Sequence, residues 1–500
     1  MISSSLRCVQ YGSNVDKFLF TVVKLRNNVS LATAGLVRRS SSIVNSDLQR
    51  HHHRPNQHLV SRFSSTMSSS QEFRIADYDI IGFDLDGTLL RYNLNTMVPL
   101  VYELLVKYLV EERGYPRVML EKPFNSDYMQ KGLIVDAERG NILKLSADGV
   151  ILKAAHGTRF LQDSEIEAIY GKARTWSTAI EYIDDPLSAW NGPVSEKLRS
   201  LLDYFDLAAS LVFGHAVDAI DEVSQANENI LEKNNYKIWP DLLSGLIKIY
   251  TREHFANGES PYFKALKAQP EKYIMKTDRS VLNLLRDLKS SGKALYLLTG
   301  SNIDFANLTA TYALGPDWKS LFNVVVSFGK KPGFFFMQRQ FLQVKNLMEV
   351  EGSEISLQDT LTTDGSCFSQ GNWQQLKASL SKNVIGKDDQ QTRCLYVGDN
   401  LIQDVYAPFT KASMDTIALS EELLENDDNY EYKNIVHSTM WGSYFSVNGT
   451  ATLWSKNIEK YSRLCVSTMD VVAGVPVTDK IISENKQGFY PTAPESLLER

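Results

Sequence analysis

Five short apolar runs mark the chain: Ile80–Phe83, Ala294–Leu298, Val324–Val326, Cys394–Val397 and Thr416–Leu419. Runs this short, apolar throughout rather than at alternate positions, predict strands buried on both faces, as in a parallel sheet. Helical spacing falls between them. Val281, Leu284, Leu285 and Leu288 recur at i, i+3, i+4, i+7, with Gly292 placed to end the helix. Phe305, Leu308 and Tyr312 repeat the pattern up to Gly315-Pro316, and Trp373, Leu376 and Leu380 form a third such face. Strands alternating with helices in this way predict a doubly wound α/β domain, mainly parallel, with ligands at the carboxyl ends of its strands.

One interval breaks the alternation. About 190 residues separate the run at 80–83 from the helix at 280–290, far more than one crossover needs. They hold a helix pattern (Val101, Leu104, Leu105, Tyr108, Leu109, ending near Gly114) and two apolar runs within Asn141–Lys153, joined by the hairpin signal Asp148-Gly149. The interval reads as an inserted mixed α/β cap over 93–279. The expected order is a leader at 1–70, core at 71–92, the cap, core again at 280–435 and a C-terminal segment at 436–500 packing on the core. The acidic stretch Glu421–Glu431 reads as a solvated linker. No internal repeat is evident.

Composition narrows the class. Hydrophobic residues make up 43% and charged residues 22%, which excludes a mainly disordered, collagen-like or coiled-coil chain. Cys8, Cys367, Cys394 and Cys465 are too few and too scattered for a disulfide scaffold or a metal motif. The best membrane candidate, 18–37, is interrupted by Lys24 and Arg26. A net charge of −6 gives no general attraction to nucleic acid or an anionic membrane. The charge is uneven, however: 1–70 carries +7 and the remainder −13. A basic, Ser-rich, acid-poor leader resembles a mitochondrial transit peptide, or the working protein starts at Met67. Cytoplasmic and mitochondrial locations both stay open, and His51–His53 belong to that leader.

The chemistry sits at the ends of the predicted strands. Asp84-Leu-Asp86-Gly87-Thr88 follows the first. Two carboxylates at i and i+2 before a glycine turn suit phosphoryl transfer through a covalent aspartyl intermediate: Asp84 attacks phosphorus, while Asp86 protonates the leaving alkoxide and then activates water. An aspartate facing a phosphate dianion needs a screening cation, and Mg²⁺ with oxygen ligands suits. Thr299-Gly300-Ser301 ends the second strand with a hydroxyl and backbone N–H groups for a phosphate. Lys330-Lys331-Pro332-Gly333 follows the third and offers an ammonium. Gly398-Asp399-Asn400, with Asp404, ends the fourth and supplies further carboxylates. Singly, these are a turn, a solvated basic face and another turn; chance does not readily give all of them in this order at strand ends. His156, beside Gly157 in the cap, reads more readily as structural, and Cys394 as an inert buried thiol.

The set resembles the haloacid dehalogenase superfamily of phosphatases. Gly140-Asn-Ile-Leu-Lys144, Ala155-His156-Gly157, Tyr204-Phe-Asp-Leu207, Lys331-Pro-Gly-Phe-Phe335, Ser369-Gln-Gly-Asn372 and Trp441-Gly-Ser-Tyr-Phe445 are similar to segments of its cytosolic 5′-nucleotidase branch, which carries a large cap at this place. The resemblance runs from about residue 77 to the C-terminus. It implies Asp84 as nucleophile and Asp86 as acid and base, with Mg²⁺ on the Asp84 carboxylate, the Asp86 backbone carbonyl and Asp399. It further implies a phosphoryl group on Thr299, Gly300, Ser301 and Lys331, with Asp404 in support. The implied activity is a 5′-nucleotidase acting on a small phosphate monoester, a nucleoside 5′-monophosphate foremost, with homo-oligomerisation open. Purine-specific relatives place a base-stacking aromatic after His-Gly, where this chain has Thr158 and then Arg159. The Arg and Asp that read the base have no clear counterpart around 230–265. Asn141, Lys144, His156 and Arg159 are the cap's candidate substrate contacts. The competing class is a binding or regulatory protein that keeps the fold without catalysis; the intact set Asp84, Asp86, Thr299, Lys331 and Asp399 argues against it.

Overall fold

In the computed structural model, which describes residues 71–226, 236–357 and 364–483, the apolar runs form the middle of one sheet. The leader, with His51–His53, lies outside the described residues. In chain order the strands of the two larger sheets are β1 (Ile80–Phe83), β2 (Ile134–Asp136), β3 (Asn141–Leu145), β4 (Ile151–His156), β5 (Arg159–Phe160), β6 (Leu198–Ser200) and β7 (Ala294–Leu298). They continue as β8 (Val324–Ser327), β9 (Phe341–Lys345), β10 (Met348–Ile355), β11 (Ser366–Gln370), β12 (Cys394–Gly398), β13 (Asp415–Leu419) and β14 (Leu464–Val466). The main sheet has nine strands in the order β10-β9-β11-β8-β7-β1-β12-β13-β14. From β11 to β14 every pairing is parallel, and β9 alone runs antiparallel to both neighbours. The chain builds outward from β1 through β7, β8 and β11, then returns to the other side of β1 with β12. The crevice between β1 and β12 is therefore the switch point where such sheets bind ligands.

Among the helices are α1 (Leu94–Arg113), α2 (Ala208–Ala226), α3 (Ile238–Tyr250), α4 (Arg279–Ser290), α5 (Ile303–Leu314) and α6 (Trp373–Leu380). Of these, α1, α4, α5 and α6 follow stripes that the sequence predicts, whereas α2 and α3 were not anticipated. The Asp278 side chain caps α4 by accepting the Ser280 N–H, and Val281, Leu284, Leu285 and Leu288 are all buried. Full burial of each such side chain contributes about 1.5–3 kcal/mol, so the stripe holds α4 against the sheet. β2–β6 form a separate antiparallel sheet, in the order β5-β4-β3-β2-β6, between β1 and β7 in the chain. Together with α1–α3 they make the mixed α/β insertion. Asp148-Gly149 lies between β3 and β4 as predicted.

Two expectations change, and one pair of strands gave no sequence signal. The β9–β10 hairpin carries no apolar run because it lies at the sheet edge, where polar side chains alternate with half-buried ones. The stretch beginning at Glu421 is not a solvated linker: Glu421, Glu422 and Glu425 are buried. Glu421 accepts from Arg91 and Tyr430, Glu422 from Tyr204 and Ser420, and Glu425 from Ser443 and the Tyr444 N–H. Only the portion from Asn426 to Glu431 is largely exposed, with Asp427 and Asp428 its charged tip. Finally, the C-terminal segment packs on more than the core. It adds β14 to the main sheet and also reaches the insertion, through Trp441 Nε1 to Tyr128 O (2.7 Å) and Trp454 Nε1 to Gly132 O (2.6 Å).

Burial also sets a pH response away from the strand ends. His215 on α2 is buried, with Nδ1 3.0 Å from the Tyr102 hydroxyl on α1. Burial, with Lys122 adding and Asp218 opposing, lowers its pKa from 6.5 to about 4. Between those values the unfolded chain binds a proton that the folded chain refuses, so stability falls as pH drops from 6.5 towards 4. Thermal melts at pH 7 and pH 5 should therefore show a larger acid-induced loss for the wild type than for His215→Gln. Cys394 behaves as predicted, a buried thiol pushed up to about 11 by desolvation.

Candidate active site

Four neighbouring strands, β8, β7, β1 and β12, end side by side, and each is followed by one group of the predicted set. Asp84 extends the β1 ladder by donating its N–H to Val397 O on β12 (2.9 Å). The side chains of Asp84 and Asp86 are both buried. Gly87 then turns the chain at φ +77, and a Cβ there would come within 2.5 Å of Asp399 Oδ2. Any side chain at 87 would be strained and would displace a carboxylate.

Lys331, wholly buried, holds two of the acids together. Its Nζ lies 2.8 Å from Asp84 Oδ1 and 2.6 Å from Asp404 Oδ1. Asp404 Oδ2 accepts the Asn400 N–H (3.1 Å), which ties the cluster to the loop after β12. Asp84, Asp399 and Asp404 each offer a carboxylate oxygen, all within 4.8 Å of one another. Asp399 Oδ1 is buried and has no hydrogen-bond partner. Burial pushes the Asp399 carboxyl well above its ordinary pKa; Lys131 opposes that shift, and Asp203, Asp84 and Asp404 add to it. Converging buried carboxylates around an unsatisfied oxygen are the donor set of a hard divalent cation, and Mg²⁺ fits it. Asp404 lies within the same cluster.

Asp86 has different company. Its Oδ1 accepts the Tyr92 hydroxyl (2.7 Å), and its Oδ2 accepts Ser301 Oγ (2.8 Å) and Thr299 Oγ1 (3.3 Å). Thr299 Oγ1 in turn accepts the Ser301 N–H (3.0 Å). Asp84 thus faces an ammonium while Asp86 faces hydroxyls, the kind of contrast that lets two carboxylates take two roles. Thr88 Oγ1 and Asn302 Nδ2, on the adjoining turns, are buried without a hydrogen-bond partner. Both are spare polar contacts.

The cap candidates sit elsewhere, in networks of their own. Lys144 Nζ donates to Gln130 Oε1 (2.6 Å) and to the carbonyls of Trp441 (3.1 Å) and Ser443 (2.5 Å), fastening the insertion to the C-terminal segment. His156 Nδ1 is 2.8 Å from Asn141 Oδ1, its Nε2 is 3.0 Å from Asp221 Oδ2, and Asn141 also donates to the Tyr170 hydroxyl (2.8 Å). Thr158 donates its N–H (3.0 Å) and hydroxyl (2.6 Å) to Asp218. Arg159, with its side chain 61% exposed, pairs with Glu165 at 3.0 Å. Among the described residues, no hydrogen bond or ion pair joins Asn141, Lys144, His156 or Arg159 to the strand-end acids. Arg159→Ala should then leave the melting temperature nearly unchanged, as for an exposed ion pair, and leave the ranking of substrates in a turnover screen unchanged.

Three residues near the acids gave no motif signal. Tyr92 lies six positions past Asp86, Lys131 stands three positions before β2, and Asp203 sits in a loop before α2. Burial beside the strand ends marks all three.

The doubly wound sheet, the inserted cap and the lysine-bridged acids at the switch point define a hydrolase of the phosphatase type. The chain belongs to the 5′ nucleotidase family, whose model matches residues 69–431. It is 31% identical over 464 residues to 5′-nucleotidase domain-containing protein 1 of Homo sapiens, an overlap of 85% of this chain and 97% of that protein. The Bos taurus protein of the same name is also 31% identical, over 461 residues, with the same coverage of 85% and 97%. 5′-Nucleotidase domain-containing protein 2 of Homo sapiens is 24% identical over 378 residues, covering 75% of this chain and 66% of that protein.

Proposed function

We propose that this protein is a Mg²⁺-dependent phosphate monoester hydrolase acting on nucleoside 5′-monophosphates through an aspartyl phosphate on Asp84. One observation supports the reading above the others: Asp84, Asp399 and Asp404 converge within 4.8 Å next to a second, hydroxyl-bound carboxylate, Asp86. Membership of the 5′ nucleotidase family supports the nucleotide as substrate.

Asp84 attacks phosphorus and the ester P–O bond breaks, with Asp86 giving its proton to the departing alkoxide. Asp86 then takes a proton from water, whose oxygen attacks the same phosphorus. The P–O bond to Asp84 breaks, releasing inorganic phosphate and restoring the carboxylate. The hydroxyls of Tyr92, Ser301 and Thr299 keep Asp86 in one orientation through both transfers. Lys331 holds Asp84 in place and offers its charge to the transferring oxygens. Asp84, Asp399 and Asp404, with the Asp86 carbonyl, would hold Mg²⁺. The metal would screen the repulsion between carboxylate and phosphate and polarise the phosphoryl group.

The test is a screen of the full chain against phosphate monoesters, nucleoside 5′-monophosphates among them, with Mg²⁺ and with excess chelator. Phosphate release that needs Mg²⁺ and favours nucleotides is expected. No release from any ester would overturn the enzyme reading, and release from non-nucleotide esters alone would overturn the substrate assignment.

A further inference from the structure

The carboxylates at the strand ends outnumber the cations, and the insertion carries a second buried lysine beside them. Lys131 is 4% exposed. Its ammonium lies 3.9 Å from Glu422 Oε1, an ion pair too long for a hydrogen bond, and 4.8 Å from the centre of the Tyr204 ring. Both Glu422 oxygens already accept shorter bonds, Oε1 from Tyr204 (2.7 Å) and Oε2 from Ser420 (2.6 Å). Among the described residues Lys131 Nζ makes no hydrogen bond. A buried ammonium left with a long pair and a ring face is short of acceptors for its three donors.

Glu422 follows the carboxyl end of β13, the strand beside β12, so the ammonium lies at the same edge of the sheet as Asp399. Burial alone would lower the Lys131 pKa, but Glu422, then Asp399 and Asp203, outweigh it and keep the group charged. Asp399 for its part has the buried, partnerless Oδ1. A cation without hydrogen-bond acceptors and an anion without hydrogen-bond donors therefore share one region. A metal–phosphate pair would satisfy both, with the metal on the carboxylate and a phosphate oxygen on the ammonium.

The backbone around Lys131 is held firmly. The Gly132 N–H donates to Leu201 O (2.6 Å), and Gly132 O accepts Trp454 Nε1 (2.6 Å). Gly132 has φ +87, and a Cβ there would come within 2.4 Å of the Trp454 ring. The neighbouring Gln130 donates to Gly442 O (2.7 Å). The lysine is thus presented by a clamped segment rather than by a mobile loop, the preorganisation that binding of a charged group rewards.

We infer that Lys131 is a substrate-contacting residue, the insertion's own ligand for the phosphoryl group, acting from the side opposite Lys331. The inference rests on the phosphatase reading above and adds one residue to it. It also assigns the cap a part in binding the phosphate itself, whatever alcohol the phosphate is attached to.

The decisive measurement is calorimetric titration of the full chain with inorganic phosphate in Mg²⁺ buffer, for the wild type, Lys131→Met, Lys131→Arg and Glu422→Gln. Lys131→Met should bind phosphate roughly tenfold to a hundredfold more weakly, the equivalent of one charge-assisted hydrogen bond. Lys131→Arg should recover most of that loss. Glu422→Gln should bind more tightly than the wild type, because it frees the ammonium. If Lys131 serves only as the partner of Glu422, Lys131→Met binds phosphate like the wild type, or Glu422→Gln weakens binding as much as Lys131→Met; either result overturns the inference. Should Lys131→Met fail to fold, Glu422→Gln decides alone: tighter binding supports the inference, and equal or weaker binding overturns it. A wild type that neither binds phosphate nor hydrolyses any ester would overturn the phosphatase reading as well. A wild type that does both, beside an unaffected Lys131→Met, would overturn this inference alone.

Discussion

Asp84→Asn should lower phosphate monoester hydrolysis by at least about 10⁴-fold, the scale on which removing a nucleophile acts. An amide in that place is a poor nucleophile and cannot carry the phosphoryl group. Asp86→Asn should act differently. It keeps the backbone carbonyl and the shape of the side chain, but it loses the proton carrier, for a loss of about 10²–10⁴-fold. The contrast follows from their surroundings: Asp84 is held by Lys331 at 2.8 Å, whereas Asp86 is held by three hydroxyls. Steady-state kinetics of both variants, with thermal melts to confirm folding, test the assignment. Substantial activity in Asp84→Asn would exclude the covalent route, and equal losses at both positions would leave the division of roles unsupported.

Asp399→Asn should separate stability from activity. The Asp399 carboxyl is buried, its Oδ1 has no partner, and desolvation disfavours its charge. Without metal that charge is a burden, so the asparagine variant should be more stable in chelator, by about 1–3 kcal/mol. In Mg²⁺ the order should reverse, because the wild type gains a ligand that stabilises only its folded form. The variant should show neither the Mg²⁺-dependent rise in Tm nor Mg²⁺-dependent turnover. A wild type and a variant with the same Tm response to Mg²⁺ would rule out Asp399 as a ligand.

The core strands were legible because burial on both faces leaves a plain trace, a short run that is apolar throughout. Ile80–Phe83 and Ala294–Leu298 match the structure residue for residue. The strand-end acids were legible for a related reason: Asp84, Asp86 and Asp399 follow such runs directly, so the pattern that locates the strand also locates the group. The β9–β10 hairpin escaped because an edge exposes one face and mixes polar residues into the strand. Glu421, Glu422 and Glu425 were misread because charge density in a sequence suggests solvent, while their partners Arg91, Tyr204 and Ser443 lie far away along the chain. Lys131 and Tyr92 were missed in the same way. Neither lies in a periodic or spaced motif: Lys131 acquires meaning only when the insertion folds back onto the carboxyl edge of the sheet, and Tyr92 only when the turn after β1 brings its hydroxyl to Asp86. In the cap, likeness of segments picked out Asn141, Lys144 and His156, whose contacts fasten the insertion together and to the C-terminal segment.

The most direct measurement of the central claim is mass spectrometry of the full chain, acid-quenched during turnover of a phosphate monoester in Mg²⁺. A phosphoryl adduct on the peptide containing Asp84, absent from Asp84→Asn and from reactions run in chelator, is the expected result. Turnover with no adduct at Asp84, or with an adduct that persists in Asp84→Asn, would contradict the account.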